Sequence, residues 1–416
     1  MPDLSPNAID LLRLTLVPGL GPVLISRLLR KFGSANVVLR ASAAEIRTVK
    51  GIGEAKADTI DRARADLERL VDAELSAIAD AGVNLLALGE PGYPMLLAHI
   101  DDPPPVLYVK GEMRTGDLDR ATLAVVGSRK CSHYGLEQSR RFASMLAQAG
   151  VTIVSGGARG IDTAAHKGAI DAGGRTIAVM GCGLARAYPP ENEDLFARIA
   201  ERGCLLSELP FHTPPTAENF PARNRIISGM SHGTLVIEAG HRSGSLITAR
   251  LAAEDHGREV FAIPGRVDSA HSAGSLDLIK TGGAAMVTEP ADILASLRDA
   301  TTFSLVDERA AEHAAASDSV RDGGLFGTPP GERKRSPALR ELGPIGPKES
   351  AAPDVSALPV DPLDAKILDA LDAPLTPDQL AVRTETPTHE LRSRLTMLEI
   401  QRRIRRVGTH FERIGR

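Results

Sequence analysis

Apolar residues recur in different rhythms along the chain, and the rhythms predict its elements. Over residues 1–85 they return at helical spacing, which predicts an all-helical region. Two short glycine turns interrupt it, Val17-Pro-Gly-Leu-Gly21 and Val49-Lys-Gly-Ile-Gly53, 32 residues apart. Each falls between two helical patterns, as in a paired helix-hairpin-helix unit. Such turns aim backbone N–H groups outward at the start of a helix, where a phosphate can dock. Flanking bases are sparse apart from Lys50 and Lys56. Packing of a small helical domain against its neighbour therefore accounts for the hairpins equally well.

From 86 to 118 the pattern breaks into turn and extended chemistry, Gly92-Tyr-Pro and Asp101-Asp-Pro-Pro-Pro105, and reads as a connector. Over 120–300 a second rhythm repeats: short apolar strand, glycine turn, helix. The strands are expected at Thr122–Val126, Thr152–Ser155, Thr176–Met180, Leu205–Glu208, Thr234–Glu238, Val260–Ile263 and Ala285–Thr288. Helices are expected near 135–149, 161–172, 191–202, 221–230, 244–257 and 273–281. Strands apolar on both faces and separated by helices predict a parallel sheet covered on both sides. The fold class is α/β, a doubly wound, mostly parallel Rossmann-like domain over 86–300.

Residues 301–360 are rich in Ala, Pro, Ser and Gly and predict a flexible linker. Periodicity returns over 361–416. Leu363, Ile367, Leu368 and Leu371 share one helical face, and Thr376-Pro starts a capped helix. Thr386-Pro starts another helix, and Ile404–Phe411 reads as a hairpin. Together these fit a winged helix.

Net charge is only −4, so bulk charge does not point to nucleic acid, and any such site must be a local patch. The three cysteines, Cys131, Cys182 and Cys204, lack the spacing of a metal site or a disulfide framework. No window approaches the roughly 20 apolar residues of a membrane span, and the first residues resemble no leader peptide, so a cytoplasmic location is expected.

In an open parallel sheet, ligands bind beyond the carboxyl ends of the strands. Here those ends carry Gly127-Ser-Arg129-Lys130, Gly156-Gly-Ala-Arg159-Gly160, Tyr188-Pro-Pro-Glu-Asn192, Phe220-Pro-Ala-Arg223-Asn-Arg225 and Ser243-Gly-Ser-Leu-Ile-Thr248. The G-x-G-x-x-G fingerprint of a dinucleotide site fails, because Arg129 stands at the second glycine and the third is missing. No G-x-x-x-x-G-K-[ST] loop occurs either, and no metal cluster, so no cofactor and no catalysis are expected. What remains is glycine turns punctuated by Arg129, Lys130, Arg159, Arg223 and Arg225. Glycines free backbone donors, and guanidinium groups pair with phosphates. Phe220, three residues before Arg223, could stack a base. Glu208 and Glu238, also at strand ends, are expected to orient arginines or cap helices, and Ser243 to cap a helix. His166 and His232 are expected to be packed.

These motifs resemble the DNA processing protein A family, DprA or Smf. The resemblance rests on Gly127-Ser-Arg-Lys, Ala158-Arg-Gly-Ile-Asp-Thr-Ala-Ala-His-Lys-Gly168, Tyr188-Pro-Pro-Glu-Asn192, Asn219-Phe-Pro-Ala-Arg-Asn-Arg-Ile-Ile-Ser-Gly229, Arg242-Ser-Gly-Ser-Leu-Ile-Thr-Ala-Arg250 and Val260-Phe-Ala-Ile-Pro-Gly265. It spans about Gly92 to Leu297. One departure is Leu276, where the family often has asparagine or histidine. The resemblance implies binding of single-stranded DNA, a homodimer, and loading of the RecA recombinase in natural transformation with displacement of single-strand binding protein. It also implies a sterile-alpha-motif-like domain and a winged helix at the two ends. By motif it carries Arg129, Phe220, Arg223 and Arg225 into the strand pocket. Lys130 and Arg159 join them by position and charge.

Two other readings stand beside it. The fold is also similar to cytokinin-activating phosphoribohydrolases, with Gly233-Thr-Leu-Val-Ile-Glu238 in place of their glycine-rich loop; that would make a nucleotide hydrolase. The middle domain could instead only dimerise, as a scaffold for terminal modules. Residues 392–416 hold eight arginines against two acids, so the winged helix could read duplex DNA or serve protein contacts.

Overall fold

The computed structural model describes residues 4–113 and 121–297 and, further on, 362–371, 375–384, 386, 391, 394–395, 398, 403–407 and 410–413. The chain divides into two compact units, 1–321 and 322–416. The linker expected over 301–360 lies outside the described residues.

The first unit opens with six helices, α1 (Pro6–Leu16), α2 (Pro22–Phe32), α3 (Ala35–Arg40), α4 (Ala43–Arg47), α5 (Glu54–Ala63) and α6 (Leu67–Asp80). Their starts follow local chemistry. Ser5 accepts a hydrogen bond from the Ala8 N–H at 3.1 Å, and Ser42 and Glu45 close a capping box on α4. The two glycine turns join α1 to α2 and α4 to α5. Gly19 and Gly51 sit there at φ 77° and 94°, a region that side-chain-bearing residues avoid.

Two strands follow that the sequence reading lacks: β1 (Val83–Ala87) and, after α7 (Met95–Ala98), β2 (Val106–Gly111). The helical region thus ends in a strand, and the connector carries one. Both are antiparallel additions outside the strand–helix rhythm. β1 is short, and β2 follows three prolines that read as a turn but only precede the first ladder residue.

The rhythm then runs as expected through β3 (Thr122–Val126), α8 (His133–Gln148), β4 (Thr152–Ser155), α9 (Ile161–Asp171), β5 (Thr176–Val179), α10 (Glu193–Arg202), β6 (Cys204–Ser207) and α11 (Asn219–Gly229). It continues through β7 (Gly233–Val236), α12 (Gly244–Arg250), β8 (Glu259–Ala262), α13 (Ala273–Lys280) and β9 (Ala285–Met286). The nine strands form one sheet in the order β1-β2-β6-β5-β4-β3-β7-β8-β9. The seven from β6 to β9 are parallel, so their carboxyl ends share one edge. Every residue of β3 to β7 is buried, because helices cover both faces. The chain builds outward from β3 to β6 on one side, then returns to place β7 on the other side of β3. A crevice opens where the order reverses in this way.

The helical region shares a core with the sheet. Leu11, Leu14 and Val71 belong to the same buried cluster as Tyr108, Ala178 and Phe196. Glu74 of α6 accepts a hydrogen bond from the Phe211 N–H at 2.6 Å.

In the second unit, α14 (Pro362–Ala370) and α15 (Pro377–Thr384) pack Ile367, Leu368, Leu371 and Leu380 against Ile404 and Phe411 of an antiparallel hairpin. Its strands are β10 (Ile404–Val407) and β11 (His410–Arg413). Thr376 caps α15 as expected, with Gln379 closing the return bond.

Candidate nucleic-acid interface

The crevice at the strand reversal is an open cleft of about 770 Å³. The turn after β3 brings Arg129 and Lys130 to it, the turn after β5 brings Tyr188, and the turn after β7 brings Arg242. Helix α11 contributes Phe220, Arg223, Asn224 and Ile227, the i, i+3, i+4, i+7 stripe of one helix face. Among the described lining residues, Arg129, Lys130, Arg223 and Arg242 face a single carboxylate, Asp162. The cleft is therefore a local cationic patch on a chain whose net charge is −4.

Arg129 and Lys130 are exposed. The Arg129 guanidinium lies 5.2 Å from the Phe220 ring centroid, within cation–π range. Close backbone contact holds the turn beneath them. Gly160 sits at φ 76°, and a Cβ there would lie 2.4 Å from the Ser128 carbonyl oxygen. Arg223 forms the floor. It is 5% exposed and donates from Nη1 to the carbonyl oxygens of Gly156, at 2.7 Å, and Val179. Burial pulls its pKa down to about 10, against the pull of nearby Asp162. Its Nε has no protein partner. Asp162 accepts from the Gly156 and Ala158 N–H groups at 3.1 and 3.3 Å, fixing the turn after β4. Burial raises its pKa to about 6, opposed chiefly by Arg223.

The structure does not bring all six expected residues together. Arg225 is two positions along the helix from Arg223, about 200° around its axis, and lies outside the cleft. It is buried, with Nη1 and Nη2 on the two oxygens of Glu208 at 3.2 and 2.6 Å and Nε on Asp102 at 2.9 Å. Burial works against its charge, but the two carboxylates more than offset this and raise its pKa. The structure holds it in an internal ion pair, away from the cleft. Arg159 is exposed but also lies outside the cleft, paired with Glu191 at 3.0 Å. Arg242 is the cation that sequence reasoning missed. Its signal was present: it follows β7, the strand beside β3, in a hydroxyl-rich turn.

The residues read as structural behave so. Glu238 accepts from both the N–H and the hydroxyl of Ser132, at 2.7 and 2.8 Å, where α8 begins. Glu208 holds Arg225, and Ser243 caps α12. Asn192 donates to the Gly157 carbonyl and the Thr163 hydroxyl, stapling the turns after β4 and β5. His232 Nδ1 accepts from the Thr122 N–H at 3.1 Å, and His166 Nδ1 lies 2.7 Å from the Thr176 hydroxyl. Among the described residues no group of side chains assembles that could hold a metal ion. No helix among them is long and apolar enough to cross a membrane.

The two histidines set a pH dependence. Burial lowers His166 to about 3 and His232 to about 4, so the unfolded chain binds more protons below its ordinary histidine pKa of about 6.5. Stability from each is full at neutral pH and is lost as pH falls from 6.5 toward the folded value. Asp162, raised to about 6, acts in the opposite sense, so the histidine contribution is read by difference. From pH 7 to 5 the gap in unfolding free energy between the native chain and His166→Asn is expected to narrow by about 2 kcal/mol. Urea titrations at the two pH values measure it; a constant gap would show that His166 is not held neutral.

Comparison with known proteins decides the family. The model of DNA recombination-mediator protein A matches residues 84–298, the sheet and its cleft. The chain belongs to this family. The family's own winged-helix model matches 350–408, and a SAM-like helix-hairpin-helix tandem matches 11–66. Protein Smf of Synechocystis sp. is 39% identical over 283 residues, 68% of this chain and 70% of that protein. Protein Smf of Escherichia coli is 47% identical over 229 residues, 55% of this chain and 60% of that protein. The X-ray structure of DprA from Streptococcus pneumoniae superposes at a TM-score of 0.61 with 35% identity, covering 70% of this chain and 98% of that one. The DprA/Smf family model thus spans the Rossmann-like domain, and the family's winged-helix model the far end of the chain.

Proposed function

We propose that the chain binds single-stranded DNA along the carboxyl edge of its sheet and acts in DNA uptake and recombination without turning over a nucleotide. The observation that carries this reading is the cleft itself, where four cations face one buried acid beside an aromatic pair. An open groove with phosphate-pairing cations and a stacking ring suits a flexible strand with unpaired bases. Arg129, Lys130, Arg223 and Arg242 are the phosphate-facing group, and Phe220 is the stacking ring. In this reading the protein works in the cytoplasm as a homodimer and passes its strand to the RecA recombinase, displacing single-strand binding protein. Residues 1–85, 86–300 and 361–416 are its helical, strand-binding and winged-helix parts, joined to the last by 301–360. The nucleotide-hydrolase reading draws no support from Glu238, whose oxygens are engaged by Ser132.

The test is binding of an oligothymidylate and of a duplex of equal length across a salt series. Single strands are expected to bind more tightly, with affinity falling steeply as salt rises because each neutralised phosphate releases counterions. In Arg129→Ala the slope of log affinity against log salt is expected to shrink by about 0.7, one single-strand phosphate contact. Equal binding of duplex, or a slope unchanged by the substitution, contradicts the proposal.

A further inference from the structure

Phe220 is half-buried at the cleft wall. Gly181 lies against the ring, where a Cβ would sit 2.7 Å from Cδ1. Arg129 lies over it, at 5.2 Å from the centroid. At its side stands Tyr188, ring centroids 5.4 Å apart and planes tilted by 37°. Tyr188 is half-buried, lines the same cleft and belongs to the turn after β5. Neither ring can clamp a base against the other, because an inserted base needs rings about 7 Å apart, twice the base-stacking rise. Each ring can only offer a face of its own.

We propose that Tyr188 is a second base-stacking side chain, so that Tyr188 and Phe220 take two neighbouring bases of one strand. The inference rests on the single-strand reading above. The base that reaches Phe220 takes the place of the Arg129 guanidinium, which moves from the ring to the adjoining phosphate. Arg129 thus partly shields the apolar ring until a strand arrives, and then neutralises that strand's charge. The tilt between the rings requires the two bases to splay apart. Paired bases held in a duplex stack cannot do this without unstacking, so the platform itself favours single strands.

The chain has four tyrosines and no tryptophan, so tyrosine emission reports on few rings. Tyr93 and Tyr108 are buried, and Tyr134 lies outside the cleft, its hydroxyl donating to the Pro264 carbonyl. Titration of the full chain with oligothymidylate is expected to quench tyrosine emission. In Tyr188→Phe the quenching is expected to vanish while affinity stays within about twofold, because phenylalanine still stacks. In Tyr188→Leu affinity is expected to fall about 5- to 150-fold, the loss of one stacked base. Quenching that persists in Tyr188→Phe, or native affinity in Tyr188→Leu, overturns the inference. If Phe220→Leu weakens binding and Tyr188→Leu does not, only the role of Tyr188 fails. If the native chain does not bind oligothymidylate at all, the single-strand reading fails and this inference with it.

Discussion

Arg225→Met is expected to lower the unfolding free energy by about 3–5 kcal/mol, the cost of stranding buried charge when one partner of an ion pair is removed. Arg225 and Glu208 have side chains only 10% and 9% exposed. The guanidinium engages both Glu208 oxygens and, through Nε, the Asp102 carboxylate at 2.9 Å. Methionine keeps much of the stem's apolar packing but leaves both carboxylates without their cation. Urea denaturation at pH 7 measures the loss. Adding Glu208→Gln to Arg225→Met should recover part of it, because the second change removes the charge that the first one stranded. The folded fraction of Arg225→Met should bind oligothymidylate as the native chain does, since Arg225 lies outside the cleft. A stability loss below about 1 kcal/mol, or weakened binding by folded protein, would return Arg225 to the binding surface.

The second large effect is on binding. Arg129, Lys130 and Arg242 are all exposed and line the cleft. Converting the three to alanine together should therefore cost little stability. A charge-assisted contact contributes about 1.5–3 kcal/mol, so losing three should weaken single-strand binding by at least about a thousandfold at low salt. The salt slope should also fall by about 2, three single-strand phosphate contacts. Isothermal titration or anisotropy with a labelled oligothymidylate measures both quantities, and circular dichroism checks that the fold survives. A triple variant that still binds within tenfold of the native chain would remove the cleft from the strand's path.

Much of the fold was legible because the strand–helix rhythm is strong. Strands β3 to β9 lie where short apolar runs predicted them, most of them within two residues. β1 and β2 were hidden for a physical reason. Antiparallel strands need no crossover helix between them, so β1 and β2 fall outside the strand–helix rhythm. Val83-Asn-Leu-Leu-Ala87 is short, and Val106-Leu-Tyr-Val109, although apolar and buried, directly follows three prolines that read as a turn.

The site was legible as a row of strand ends but not in its detail. The divergence of Arg223 and Arg225 was legible in the helix: residues two apart face different ways, and Phe220, Arg223, Asn224 and Ile227 spell out the cleft-facing stripe. The pairing of Arg159 with Glu191 was not readable, because it joins turns separated by 32 residues in sequence. Arg242 had the right address, but no phenylalanine, tyrosine, lysine or second arginine stood beside it to draw notice. Tyr188 was read as part of a motif, and only the folded turn places its ring beside Phe220.

The seam between the six helices and the sheet bears on how such chains can be cut and recombined. Helix α1 packs on β1 and β2, and α6 packs on β1. Leu11, Leu14 and Val71 cover the same apolar cluster as Tyr108 and Phe196. Residues 4–297 should therefore melt in one cooperative step rather than two. Cleaving the chain before Val83 would not release a free-standing module. It would uncover oily surface on the β1–β2 edge and invite aggregation. An exchange of helical regions between relatives should succeed only where α1 and α6 keep the apolar face that fits these two strands, which ties the inheritance of the helices to that of the sheet.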